Sequence, residues 1–139
     1  MKKFFREYPL QLTVADGIDI KFFDETKRQF TNIRQTVGRL LAPINNDAPD
    51  NIYIEPSFFC SALGLQGRFD LLEGGTNNII ELKSGKADEY KKSAKEEHIM
   101  QMSLYKEILK YNLALPEDNV HAHLFYSRYP SIIHRECSK

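Results

Sequence analysis

The stretch GRFDLLEGGTNNIIELK, residues 67–83, decides the fold. Within it the β-rich runs LQGRFDLLE (65–73) and NIIELKS (78–84) flank Gly74-Gly75-Thr76-Asn77, a joint short enough and rich enough in turn formers for an antiparallel hairpin. Upstream, NIYIEPSFFC (51–60) is a third run of the same kind, joined through Ser61-Ala62-Leu63-Gly64. Three strands in an antiparallel meander follow.

Hairpin partners have residue numbers of constant sum as long as no bulge intervenes. Centring the second hairpin on Gly75 and Thr76 sets Asp70 opposite Glu81, and centring the first on Ala62 and Leu63 sets Glu55 opposite Asp70. Three carboxylates would then line up across three strands. Directly opposed Cβ atoms lie ~4.5–5.5 Å apart, and each like-charged pair costs ~0.2–1 kcal/mol. A divalent cation, Mg²⁺ or Mn²⁺, compensates, because it prefers hard oxygen ligands and its charge offsets the repulsion. Strand alternation puts Lys83 on the face of Glu81 and turns Ile80 and Leu82 the other way. Such an amine can hold a water, help deprotonate it and offset charge on a phosphoryl group under attack, which suits phosphodiester hydrolysis. A Glu-x-Lys on a strand is also an ordinary solvated face, so the helices matter.

Phe22, Phe23, Phe30, Ile33, Val37, Leu40 and Leu41 recur at helical spacing behind Asp24 as N-cap, predicting a helix over about 25–42. Residues 1–24, with Tyr8 to Val14, read as a short strand or a tether, and Pro43 to Asp50 as a loop. A second helix is predicted over about 88–113, rich in Lys, Glu, Met and Leu and closed before Pro116; VHAHLFY (120–126) reads as a fourth strand. The fold class is α/β, in the order helix, three-stranded antiparallel meander, helix, strand. On the second helix Gln101 and Tyr105 are spaced i,i+4, with His98 on the same stripe. Tyr105 reads as core beside Met100, Leu104 and Ile108, and Gln101 as a cap for a buried backbone group or as a donor and acceptor beside the metal or the DNA backbone. Lys83, Lys86, Lys91, Lys92 and Lys95 form the densest basic run. It could track a phosphate backbone or be a solvated face balanced by Asp88, Glu89, Glu96 and Glu97.

The chain has 139 residues, and its 19 basic and 19 acidic residues cancel, so affinity for a polyanion must come from a local patch. Arg6, Glu7 and Pro9 interrupt any signal-peptide apolar stretch, and no segment approaches the ~18 apolar residues of a membrane span. A cytoplasmic protein without a membrane partner is expected. Cys60 and Cys137 form no CxxC and read as reduced thiols.

Taken in order, Gly67-Arg68-Phe69-Asp70, Ile79-Ile80-Glu81-Leu82-Lys83 and Gln101-Met102-Ser103-Leu104-Tyr105 resemble the "GxxD, (D/E)xK, QxxxY" series of PD-(D/E)xK nucleases. The closest resemblance is to the RecB-like branch, shared by helicase-nucleases and CRISPR-associated nucleases. The element order from about 25 to 127 resembles that superfamily's restriction-endonuclease-like core, so residues 25–139 are expected to form a nuclease-like domain. The resemblance implies Asp70 and Glu81 as metal ligands, the Leu82 backbone carbonyl completing the shell, Glu55 as a further acidic ligand and Lys83 as the catalytic lysine. Gln101 and Tyr105, with Lys86 from the basic run, would contact substrate.

The activity so implied is Mg²⁺- or Mn²⁺-dependent cleavage of DNA, as single strands or duplex ends, in repair, recombination or defence. Exonuclease action is favoured over endonuclease action, with a helicase domain or subunit as partner. Departures give the alternative, a non-catalytic DNA-binding or scaffold module that keeps the nuclease fold. Many RecB-like enzymes carry a metal-binding His on the first helix, and Thr36 to Leu41 contains none. Two cysteines cannot supply the four of an iron–sulfur cluster, so none is expected within this chain. Cys137 stands where late cluster cysteines would begin, two residues before the end, and the reading leaves open a fragment of a larger protein. No GxxxxGK[ST] loop is present, so an ATP-driven motor would lie elsewhere.

Overall fold

The structure, a computed structural model, describes residues 2–41, 51–88, 93–116, 119–129 and 135–136. Helices α1 (Lys2–Glu7), α2 (Pro9–Val14) and α3 (Ile20–Leu41) come first, then strands β1 (Ile52–Ile54), β2 (Ser57–Cys60), β3 (Leu65–Arg68), β4 (Leu71–Glu73) and β5 (Asn78–Lys83). Helix α4 (Glu96–Leu113) leads to β6 (His121–Tyr126) and the short β7 (Arg135–Glu136). Five strands form one sheet in the order β1-β4-β5-β6-β7, and β2 and β3 form a separate ribbon. All neighbours are antiparallel except β5 and β6, which are parallel and connected through α4. This is a mixed α/β, restriction-endonuclease-like fold. Among the described residues no helix is long and apolar enough to cross a membrane.

Both hairpins hold the expected register. In the first, Ile52 pairs Glu73, Ile54 pairs Leu71, Ser57 pairs Arg68 and Cys60 pairs Leu65, one constant sum through two sheets. The second pairs Leu71 with Ile80 and Glu73 with Asn78. Each of the first two predicted strands is broken once, at Glu55-Pro56 and at Phe69-Asp70. The reason is local: Pro56 has no N–H for a ladder, and Glu55 takes a left-handed φ of 50°. The hairpin stays continuous across the bend through Glu55 N–H to the Asp70 carbonyl (3.0 Å) and Phe69 N–H to the Pro56 carbonyl (3.1 Å).

The N-terminal reading changes. Residues 2–14 are two short helices and not a strand, and α3 begins a turn before the expected start. Its cap is Asp19, whose Oδ1 accepts the Phe22 N–H at 2.8 Å, while Asp24 lies inside the helix. Helix α3 leaves Phe22 and Phe30 of the predicted stripe exposed and, among its described side chains, buries Asn32 and Thr36. Polar burial there is satisfied, since Asn32 Nδ2 donates to the Ser127 carbonyl (2.8 Å) and Ser127 Oγ donates to Gln29 Oε1 (2.5 Å).

The start of the second helix moves from 88 to Glu96. Lys and Glu content favours helix there, but tertiary contacts win: Asp88 and Ser93 pair as a bridge, Ala87 and Ala94 are buried, and the Lys95 N–H donates to the Tyr126 hydroxyl (3.1 Å). The core lies between α4 and one sheet face, with Met102, Ile108 and Leu109 against Ile79, Ala122, Leu124 and Tyr126. Each such aliphatic side chain contributes roughly 1.5–3 kcal/mol by leaving water. Strand alternation therefore turns Glu81 and Lys83, like Ile79, toward α4.

Candidate active site

Strand β5 supplies the centre of the site. Burial of Ile79 against α4 obliges Glu81, two residues on, to enter the same layer, and its side chain is buried. Lys83 Nζ donates to Glu81 Oε1 at 2.8 Å. It also donates to Gln101 Oε1 at 2.9 Å, and Gln101 Nε2 donates to Glu81 Oε1 (3.3 Å) and to the Tyr105 hydroxyl (2.7 Å). Four residues expected from two separate motifs thus share one hydrogen-bonded network.

Glu81 Oε2 is the exception, a buried oxygen without a hydrogen-bond partner among the described residues. Burial pushes the Glu81 carboxyl above its ordinary 4.5; the Lys83 ammonium pulls it down and the Asp70 carboxylate pushes it further up. An orphaned acceptor under like-charge pressure fits a cation.

Asp70 sits at the bend where β4 begins. Its Oδ2 accepts the Leu82 N–H at 2.7 Å, standing in for the backbone carbonyl that a continuing β4 would have offered. A strand residue's N–H and C=O leave by the same edge, so the Leu82 carbonyl also faces the side of Asp70. Asp70, Glu81 and that carbonyl are hard oxygen donors, the kind a divalent cation prefers.

The third carboxylate does not join them. The register runs through Glu55 and Asp70 as expected, but the left-handed φ at Glu55 leaves its side chain exposed, 3.8 Å from Arg68. Accordingly, among the described residues no group of three or more His, Cys, Asp or Glu could hold a metal ion. Lys86 is exposed beyond β5, and Lys95 pairs with Glu97 at 3.8 Å; Lys91 and Lys92 of the basic run lie outside the described residues, as does Cys137.

Gly67 of the first motif has a steric reason. A Cβ there would meet Tyr105 Cε1 at 2.9 Å, so the missing side chain lets the Tyr105 ring lie on β3 beside Phe69 (ring centroids 4.7 Å apart).

One pair escaped the sequence reading. Tyr126, the parallel-register partner of Lys83, places its hydroxyl 2.6 Å from His98 Nδ1. Burial and then the Lys83 charge hold His98 below its ordinary 6.5. His98 shares the helical stripe of Gln101, a signal visible in the sequence, but Tyr126 looks like any core strand aromatic until β6 is laid beside β5.

A family model described as the PD-(D/E)XK nuclease superfamily matches residues 19–137. No curated protein and no solved structure matches the chain.

Proposed function

The chain belongs to the PD-(D/E)XK nuclease superfamily, and from that premise we propose that it is a DNA nuclease of the RecB-like kind, dependent on Mg²⁺ or Mn²⁺. The supporting observation is the network of Glu81, Lys83, Gln101 and Tyr105 around the unpartnered Glu81 Oε2. Asp70, Glu81 and the Leu82 carbonyl would hold the ion. A divalent ion in such a site lowers the pKa of water and neutralises charge on a phosphoryl oxygen.

The chain's own groups do the rest. Two donors of the Lys83 ammonium point at Glu81 and Gln101. The third is left to orient a water for attack on phosphorus and to offset charge building on the phosphate. Gln101 keeps the ammonium in place, and Tyr105 keeps the Gln101 amide in place. Lys86 would meet a neighbouring phosphate. Exonuclease action on single strands or duplex ends, in repair, recombination or defence beside a helicase, is the setting that goes with this reading.

Incubating the purified chain with single- and double-stranded DNA and Mn²⁺ tests it, with Lys83→Ala as control. Cleavage in the parent that is lost in the variant is the expected result. DNA binding insensitive to chelator, with no cleavage under any divalent metal, would instead mark a binding module on a nuclease fold.

A further inference from the structure

The ribbon of β2 and β3 stands apart from the main sheet and has two unlike faces. Phe58, Cys60, Leu65 and Gly67 alternate inward, where Phe58 stacks on Phe69 (centroids 4.9 Å apart) and Gly67 lies under Tyr105. The outward face carries Phe59, which is 67% exposed, with Gln66 directly across from it. Arg68 follows two residues on, opposite Ser57. An apolar ring left in water on a stable strand forgoes the free energy that burial would bring. The strand that carries it is tied to α4, because the Phe59 backbone carbonyl accepts Asn112 Nδ2 at 3.0 Å.

Beside this face lies a cavity of about 520 Å³ lined by Phe58, Phe59, Gln66, Arg68 and Tyr105 among others. Tyr105 belongs both to this cavity and to the Gln101–Lys83–Glu81 network, and Arg68 lies two residues before Asp70. Tyr105 is thus a wall shared by this cavity and the proposed reaction centre.

We infer that this ribbon is a subsite for an unpaired nucleotide next to the bond being cut, with the base stacked on Phe59. This deepens the nuclease reading and rests on it. A nucleobase needs an aromatic face, an amide that both donates and accepts at its edge, and a guanidinium for the phosphate; Phe59, Gln66 and Arg68 supply these on one strand face. The ion pair with Glu55, exposed and 3.8 Å long, holds Arg68 only loosely until a phosphate competes for it. A base inside a duplex has both faces stacked on its neighbours and its edge paired, so the subsite selects single strands over duplex interiors.

The test measures binding of a fluorescein-labelled oligo(dT) by anisotropy in EDTA, where cleavage cannot interfere, for the full chain and for Phe59→Leu, Phe59→Tyr and Arg68→Gln. The expected result is weaker binding by about 5- to 100-fold for Phe59→Leu, the range of one lost base stack. Phe59→Tyr should bind like the parent, and blunt duplex binding should change in none of the Phe59 variants. Arg68→Gln should flatten the salt dependence. Unchanged oligo(dT) binding in Phe59→Leu, or no binding by the parent, overturns the subsite. Mn²⁺-dependent cleavage that survives in Phe59→Leu with unchanged KM for single strands would discard the subsite and leave the nuclease reading intact. A melting temperature equal to the parent's shows that each variant is folded.

Discussion

Gln101 Oε1 lies 2.9 Å from Lys83 Nζ, so a side chain from helix α4 fixes the one ammonium that strand β5 presents beside Glu81. Sheet and helix meet at that contact. A lysine has four rotatable side-chain bonds, and holding its head group against two acceptors removes most of that freedom before any substrate arrives.

Gln101→Ala should therefore lower the cleavage rate with little change in KM. A hydrogen bond to a charged group is worth about 1.5–3 kcal/mol, which corresponds to roughly 10- to 100-fold in rate. Single-turnover cleavage with saturating single-stranded DNA reads it directly. A rise in KM at constant rate would instead make Gln101 a substrate contact.

Mn²⁺ should raise the melting temperature of the parent chain and leave Glu81→Gln unmoved. The ion relieves the orphaned Glu81 Oε2, and a ligand at 100 times its Kd adds about 2.7 kcal/mol to stability. Glu55→Gln should keep the shift, because Glu55 faces Arg68 and not the buried oxygen. Loss of the shift in Glu55→Gln would bring the third carboxylate back into the site.

Much of this site was legible because hairpin register is arithmetic. Turn residues 61–64 and 74–77 determine both pairings, and i,i+4 spacing puts Gln101 and Tyr105 on one helix face. What was hidden is what depends on single backbone angles and on tertiary partners. No sequence pattern announces a left-handed φ at a glutamate, so the turning away of Glu55 was invisible. The late start of α4 depends on the Tyr126 hydroxyl, from a strand 31 residues downstream. Similarly, Asn32 and Thr36 look exposed in a helical wheel until Ser127 is set beneath Asn32.

Gly67→Ala should destabilise the chain by about 1–3 kcal/mol, the usual cost of forcing extra volume into packed structure, or several degrees of melting temperature. The nearest obstacle is the Tyr105 ring at 2.9 Å. Most of that cost should vanish when the substitution is made in a Tyr105→Ala background, so the two changes should be strongly non-additive. Additive melting shifts would place the strain elsewhere.

Acidification should weaken the fold through His98. Burial first, then Lys83 and Lys95, hold its imidazole below the ordinary 6.5, against the opposing pull of Glu97 at 3.7 Å. The folded chain therefore keeps His98 neutral at pH values where the unfolded chain has already bound a proton. The stability this contributes is fully present above the ordinary value and is lost as pH falls through the lower folded value. Urea unfolding of the parent and of His98→Gln, followed from about pH 7.5 down to about 5, should converge toward the acid end, because only the parent loses this contribution. Parallel curves over the whole range would mean that His98 titrates alike in both states, and the contact with Tyr126 would then carry no pH dependence.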